Sequence, residues 1–231
     1  MGFLKKFFRN VFREGSMPPG TSSFEHLDEE ALEAHLGVDR YGEFWLTEAV
    51  RPSYDLQVVP TAGYRHDAYH DEQNQTSVPV LMAAVSRQHL FDTFMDLLDP
   101  LGGTVDVVLE TSHNHSKANG HTDLYREHID MPVLKSILWE YEDLLLNDGC
   151  TGLAVLNPGI PQEIQFDEHK LLIVYGEELE DYERLLATQR LSCSEDLKFI
   201  TEAEHVHSSS EHYARAFEEL KTRLGMDCEY L

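Results

Sequence analysis

The chain has 231 residues, of which 42% are apolar and 26% are charged, so it can fold around a sizeable core. Its 42 acidic and 18 basic residues give a formal net charge of −24, which disfavours contact with phosphate backbones and predicts no nucleic-acid partner. The acidity is typical of a highly soluble surface, with mimicry of nucleic acid towards a basic partner as the alternative. No stretch approaches the roughly 20 apolar residues that a membrane-spanning helix requires.

Residues 1–13 differ from the rest of the chain, because they contain four basic residues and no acidic one. At about 100° per residue, a helix would separate their apolar and basic side chains onto opposite halves. The apolar half contains Phe3, Leu4, Phe7, Phe8, Val11 and Phe12, and the polar half contains Lys5, Lys6, Arg9, Arg13 and Asn10. This pattern is typical of a helix that lies in the plane of an anionic membrane surface. A groove on a partner protein, or the acidic body of the chain itself, is the alternative binding surface.

Residues 14–23 are rich in glycine, proline and serine and predict a flexible linker, so residues 24–231 form the single acidic domain. Hydrophobic periodicity and capping residues then predict the helices and strands of this domain. The predicted helices are 29–36, 87–101, 131–148, 177–189 and one that begins after Ser208. The predicted strands are 54–59, 78–85, 104–111, 152–157, 163–166, 170–175 and 197–201, with a polar loop at 65–76.

These elements predict an α+β fold with a mixed β-sheet covered by helices. The strand–helix–strand unit at 78–111 favours a parallel pair of strands with a right-handed crossover. The two strands that flank Asp167, Glu168 and His169 favour an antiparallel hairpin. Trp45 and Trp139 are expected to pack in the core.

The three cysteines, Cys150, Cys193 and Cys228, have no CxxC spacing and are odd in number. Both features favour free thiols in a reducing compartment over a disulfide framework. Because the first residues also lack the features of a secretory signal, we expect a cytoplasmic protein. Residues 1–13 would add a peripheral attachment to the membrane.

Histidines cluster after two of the predicted strands. His113 and His115 follow the strand at 104–111, with His121 in the loop beyond, and His205 and His207 follow the strand at 197–201. Two imidazoles at positions i and i+2 share one face, which suits zinc or a similar divalent metal ion. If both strands run parallel, these histidines converge at one edge of the sheet, with Glu202 or Glu204 within reach. The alternative is that they are ordinary solvent-exposed loop histidines.

Two functions therefore stay open, and the sequence favours the first over the second. The cationic segment favours an interaction or adaptor protein that is held to a membrane or to a partner by residues 1–13. The paired histidines favour a metal-dependent hydrolase. The sequence contains none of the motifs typical of phosphate-binding loops, dinucleotide-binding folds, nucleophile elbows or HExxH metalloproteases.

We predict that residues 1–13 bind anionic lipid vesicles and that binding weakens as salt is added. Phe7→Glu/Phe8→Glu should abolish the binding, because both rings must enter the acyl boundary. Vesicle co-sedimentation measures this, with neutral-lipid vesicles as the control. Equal binding by the wild-type chain and the double variant would show that these rings anchor nothing.

Overall fold

A computed structural model describes residues 11–14, 22–71, 76–113 and 122–226 of the chain. Within them lie six α-helices and twelve β-strands. The helices are α1 (Glu29–Leu36), α2 (Arg87–Leu97), α3 (Met131–Glu140), α4 (Glu142–Asn147), α5 (Glu180–Thr188) and α6 (Glu211–Arg223). The strands are β1 (Val11–Glu14), β2 (Arg40–Tyr41), β3 (Phe44–Trp45), β4 (Val50–Pro52), β5 (Gly63–Asp71), β6 (Thr76–Ala84), β7 (Thr104–Thr111), β8 (Thr122–Asp130), β9 (Thr151–Leu156), β10 (Glu163–Phe166), β11 (Leu171–Tyr175) and β12 (His205–Ser208).

A large sheet of seven strands dominates the fold, in the order β5-β6-β11-β10-β9-β7-β8. Each neighbouring pair of described strands in it is antiparallel. A second sheet of three strands has the order β1-β12-β4, and β2 and β3 form a short hairpin. The predicted α+β class is confirmed.

Alternation along the strands builds two apolar layers, because successive side chains of a strand point to opposite faces. Leu81 and Ala83 of β6 lie in the main core beneath the helices, whereas Val80 and Ala84 lie in a smaller cluster on the other face. β11 alternates in the same way. The helices add apolar stripes to the main core at helical spacing, as Leu90, Phe94 and Leu97 of α2 show.

Several elements match the sequence patterns closely. Asp28 caps α1 by accepting a hydrogen bond from the Ala31 N–H group. The last helix, α6, is present, but its cap is Ser210 and not the predicted Ser208, which belongs to β12. The predicted hairpin is present as β10 and β11. The predicted helix after Asp130 is divided at Tyr141 into α3 and α4.

The two strands of the 78–111 unit were predicted to be parallel neighbours, and the prediction that they are neighbours is wrong. β6 and β7 run in the same direction, but β11, β10 and β9 lie between them. A crossover pattern in the sequence indicates direction and does not identify the neighbouring strand. Trp139 is also not a core residue: it is 51% exposed and contacts the edge of Phe91.

Three further differences arise where tertiary pairing overrides local composition. The polar stretch 65–71, predicted as a loop, continues as β5 because all its positions pair with β6. Conversely, the predicted strands at 54–59 and 197–201 are not strands: the first is a loop, and the second is a loop that leads into a 3₁₀ turn, Ile200–Glu202.

The start of the chain also differs from its prediction. Residues 11–13, predicted as the end of a helix, belong to β1, which pairs with β12 of the small sheet. Residues 1–10 of the predicted helix lie outside the described residues. At the end of the predicted linker, the Ser22 hydroxyl donates to Glu204 over 2.6 Å, so this part of the segment is bonded to the domain.

Gly149 allows the two sheets to approach each other. A Cβ atom at this position would lie 2.5 Å from the Ala49 carbonyl oxygen and 2.9 Å from that of Ser208. Both are backbone atoms, so they cannot rotate away. We predict that Gly149→Ala lowers the free energy of unfolding by about 1–3 kcal/mol, as overpacking of a tight contact does. Urea unfolding measures this difference.

Gly103→Ala is the matched control, since a Cβ at Gly103 would meet no atom within 4 Å. Its stability should be unchanged or slightly higher, because alanine reduces the freedom of the unfolded chain. Equal stabilities for the two variants would contradict the packing role of Gly149.

Candidate metal centre

Polar side chains accumulate at one end of the large sheet, where β7 ends, β9 begins and β10 turns into β11. The paired residues Thr111 and Thr151 mark this end on β7 and β9. The turn Asp167–Lys170 lies at the same end, and β12 of the small sheet lies against it. Residues far apart in sequence therefore meet between the two sheets.

Three histidines form the centre of this region: His169 from the turn, and His205 and His207 from β12. One ring nitrogen from each lies within 4.8 Å of the other two. The ring centroids are 4.7–5.1 Å apart. His205 and His207 are buried, with 2% and 0% exposure, and His169 is partly buried. This cluster is called the three-histidine centre below.

Fixed acceptors hold each ring of the three-histidine centre. Nδ1 of His205 lies 2.8 Å from the Ala203 carbonyl oxygen, and Nδ1 of His207 lies 2.7 Å from that of Gly149. A carbonyl oxygen can only accept a hydrogen bond, so both Nδ1 atoms carry the proton. In the neutral ring Nε2 then keeps the lone pair, and Nε2 is the ligating nitrogen in this tautomer.

His169 has a carboxylate in the equivalent position. Its Nδ1 lies 2.8 Å from Oδ2 of Asp167. Burial on its own would raise the pKa of Asp167, but the charge and hydrogen bond of His169 and the Leu171 N–H group lower it below its ordinary value. A carboxylate or carbonyl that accepts from the second ring nitrogen is the usual partner of a metal-binding histidine.

The turn that carries His169 is unusually polar for its burial. Lys170 is 6% exposed, and its Nζ donates to the Thr151 carbonyl oxygen over 3.0 Å. Its backbone has a φ angle of +65°, in the left-handed region that side chains other than glycine rarely adopt. Burial lowers the pKa of the Lys170 ammonium, although the negative charges of Asp148 and Asp167 act to raise it.

A narrow cavity of about 40 Å³ lies beside the three-histidine centre, with His169 and Lys170 in its wall. The rest of its lining is mostly apolar and includes Phe44, Leu46 and Phe199. A cavity of this size has room for one or a few water molecules. Water or a small group can therefore lie next to His169.

His113 lies in a neighbouring cluster. Its Nε2 is 3.0 Å from Oδ2 of the fully buried Asp148, and its Nδ1 is 2.7 Å from the Thr111 hydroxyl. Cys150 completes this group, with one donor atom from each of the three residues within 4.8 Å of the others. Burial, followed by the charge of Asp148, raises the pKa of the Cys150 thiol to about 12, so it is protonated at neutral pH and a poor nucleophile.

The structure groups the histidines differently from the predicted convergence of two pairs. His205 and His207 do come together, but their third partner is His169, and His113 contacts Asp148 instead. His115 and His121 lie outside the described residues.

The two acidic residues expected near the histidines also have other contacts. The Glu202 carboxylate lies 2.6 Å from Arg65, and the Glu204 carboxylate accepts from Ser22 and Ser23. His169 was missed because the hairpin pattern does not show that its turn is covered by a second sheet. The charged turn between two apolar strands was the available signal.

The attachment predicted for residues 1–13 stays a prediction, since residues 1–10 are outside the described part of the chain. Of the helices in the described ranges, none has the length and apolar character needed to cross a membrane. The predicted free thiols are confirmed for Cys150 and Cys193, and Cys228 lies beyond the described residues.

The Asp148 carboxylate should stabilise the fold in a pH-dependent way. Burial would raise its pKa, but bonds from His113, Ser209 and Thr151 lower it below the ordinary 3.8. Because the folded protein lowers the pKa of this carboxyl, the ionised carboxylate stabilises the folded state at pH values above 3.8. This stabilisation is lost as the pH falls from 3.8 through the lower pKa that the carboxyl has in the folded protein. We predict that Asp148→Asn lowers the free energy of unfolding by about 2 kcal/mol at neutral pH, because hydrogen bonds to a charged group are lost.

Urea unfolding of both proteins measures this cost, and the difference between them should shrink as the pH is lowered below 3.8. Asp92→Asn, at an exposed position of α2, is the control and should change stability by less than about 0.5 kcal/mol. A difference that stays constant with pH would show that the charge of Asp148 does not stabilise the fold.

Comparison of the chain with models of protein families, with curated proteins and with solved structures gave no match. The function of the chain is therefore inferred from the geometry of its own residues.

Proposed function

We propose that this protein binds a zinc-like divalent ion at His169, His205 and His207 and uses it for hydrolysis. The observation that carries the proposal is the convergence of three ring nitrogens, from two separate parts of the chain, within 4.8 Å of one another. Two nitrogens on a tetrahedral zinc ion with bonds of 2.0–2.1 Å are about 3.3 Å apart. Small side-chain rotations would therefore bring the three nitrogens onto one ion.

The chemistry of the donors favours particular metals. Imidazole suits zinc, copper, iron and nickel, whereas magnesium and calcium prefer oxygen ligands. The partners of Nδ1 also support ligation, because each ring is oriented by a carbonyl or carboxylate oxygen before any ion binds. We therefore propose zinc or a metal of similar preference.

The number of ligands favours catalysis over a purely structural role. Structural zinc sites have four protein ligands, whereas catalytic sites have three and leave one position for water. Among the described residues, the group around His169 contains three ligands. A bound metal ion supplies a hydroxide-like nucleophile at neutral pH by lowering the pKa of its water to about 7. The narrow cavity beside His169 supports this proposal, because it has room for a water molecule next to that ring.

Metal analysis of protein purified without an affinity tag tests the binding step. We expect the wild-type chain to retain zinc through dialysis and His207→Asn to lose one equivalent. Asparagine can still donate its amide hydrogen to the Gly149 carbonyl oxygen, so the fold is preserved while Nε2 is removed. His89→Ala, at an exposed position of α2, is the matched control and should keep the metal.

Equal zinc content in the wild type and His207→Asn would exclude a metal at this centre. The hydrolytic step is tested separately with nitrophenyl esters and phosphates as generic substrates. Activity should disappear on chelation and return with zinc. A metal-loaded protein that hydrolyses none of them would have a structural metal only, which contradicts the catalytic step.

A role in attachment is a second proposal, and it rests on the amphipathic pattern of residues 1–10, since residues 11–13 belong to β1. The cationic segment favours an anionic membrane or a partner protein as the surface, with the acidic domain held beside it. This role is compatible with a metal centre, because residues 1–10 precede β1, the strand that pairs with β12. The vesicle experiment on Phe7 and Phe8 tests it.

A further inference from the structure

A third cluster of side chains with metal-ligand chemistry lies on the surface, at the outer edge of the large sheet. It consists of His66 on β5, and Cys193 and Glu195 on the segment that follows α5. Nδ1 of His66 is 3.2 Å from Oε1 of Glu195 and 3.7 Å from Sγ of Cys193. Sγ of Cys193 is 3.8 Å from the same carboxylate oxygen. The three donor atoms therefore form a small triangle.

The edges of this triangle match one face of a tetrahedral zinc site. Bonds of 2.0–2.1 Å to nitrogen, about 2.3 Å to sulfur and 2.0–2.2 Å to oxygen place the nitrogen and oxygen about 3.4 Å apart. The same bonds place sulfur about 3.6 Å from either of them. The distances in the protein agree with these values to within about 0.2 Å, so an ion needs little rearrangement to bind all three atoms.

Backbone pairing sets the positions of the three side chains. Tyr64 bridges Cys193 in parallel, with its N–H group donating to Ser192 and its carbonyl oxygen accepting from Ser194. His66 lies two residues after Tyr64 on β5 and so points to the same side of that strand. Glu195 lies in the turn that the Leu197 N–H group closes by donating to the Ser194 carbonyl oxygen. The cluster is thus held by the fold and does not depend on the flexible ends of surface side chains alone.

Glu183 on α5 orients the imidazole. Its carboxylate lies 2.7 Å from Nε2 of His66, on the side of the ring away from the Cys193–Glu195 segment. A carboxylate that holds the proton on Nε2 leaves Nδ1 as the ligating nitrogen, which is the arrangement found at metal-binding histidines. All three members of the cluster are exposed, so an ion can enter from solvent and water can complete its coordination.

We propose that His66, Cys193 and Glu195 form a surface site for a divalent transition-metal ion such as zinc, with Glu183 as a positioning residue. The thiol and imidazole ligands favour zinc, cobalt or copper over magnesium and calcium. The thiol loses its proton to the solvent as the metal–sulfur bond forms. A bound ion would fasten the segment 192–195 to the edge strand β5. This site is independent of the three-histidine centre.

Titration of the metal-free full chain with Co²⁺ tests the proposal, because a cobalt–thiolate bond produces a charge-transfer band in the near ultraviolet. We expect this band in the wild type and its loss in Cys193→Ser, together with one equivalent of bound cobalt. Cys228→Ser is the matched control and should keep both. Zn²⁺ should displace the cobalt and remove the band.

Glu183→Gln should keep the band and the stoichiometry but weaken binding by about 10–100-fold, as loss of an orienting partner does. His207→Asn should keep the band while losing the equivalent at the buried centre, which separates the failure of one site from that of the other. A wild-type chain without the band, or a band that persists in Cys193→Ser, would overturn the proposal. Unchanged affinity in Glu183→Gln would overturn the positioning role.

Discussion

The close approach of Gly149 to β12 joins the two sheets, and the buried polar region depends on it. The Gly149 N–H group donates to the Ser208 carbonyl oxygen over 2.8 Å, and the Ser208 N–H group donates to that of Ala49 over 2.7 Å. The Gly149 carbonyl oxygen then accepts from His207. A side chain at position 149 would force these strands apart, so one missing Cβ atom sets the distance across which the histidines meet.

The region between the sheets is costly to assemble, because it takes charged side chains out of water. Asp148 and Lys170 are charged side chains with 0% and 6% exposure, and burial of such groups is tolerated only where they are paired or hydrogen bonded. Asp148 is paired with His113, and Lys170 donates to the Thr151 carbonyl oxygen. Polar networks of this kind, with shifted pKa values, concentrate at functional sites more often than in ordinary cores.

The two proposed metal sites use the same arrangement in different surroundings. In each, one ring nitrogen of a histidine is held by an oxygen acceptor, which directs the other nitrogen towards further ligands. The three-histidine centre is buried beside a narrow cavity, which favours tight binding and a small substrate. The cluster around His66 is open to solvent, which favours an exchangeable ion. The two sites would therefore differ in exchange rate and in ligand chemistry.

Local sequence determined much of this protein, because capping and periodicity act within one element. Asp28, the apolar stripe of α2 and the turn at Asp167–Lys170 each identify their element without help from the rest of the chain. His205 and His207 also share one strand, so their pairing follows from spacing alone. Strand order, the exposure of Trp139 and the third histidine were decided by tertiary structure. The physical reason is that sheet pairing and sheet stacking bring together residues whose separation along the chain carries no information about their distance in space.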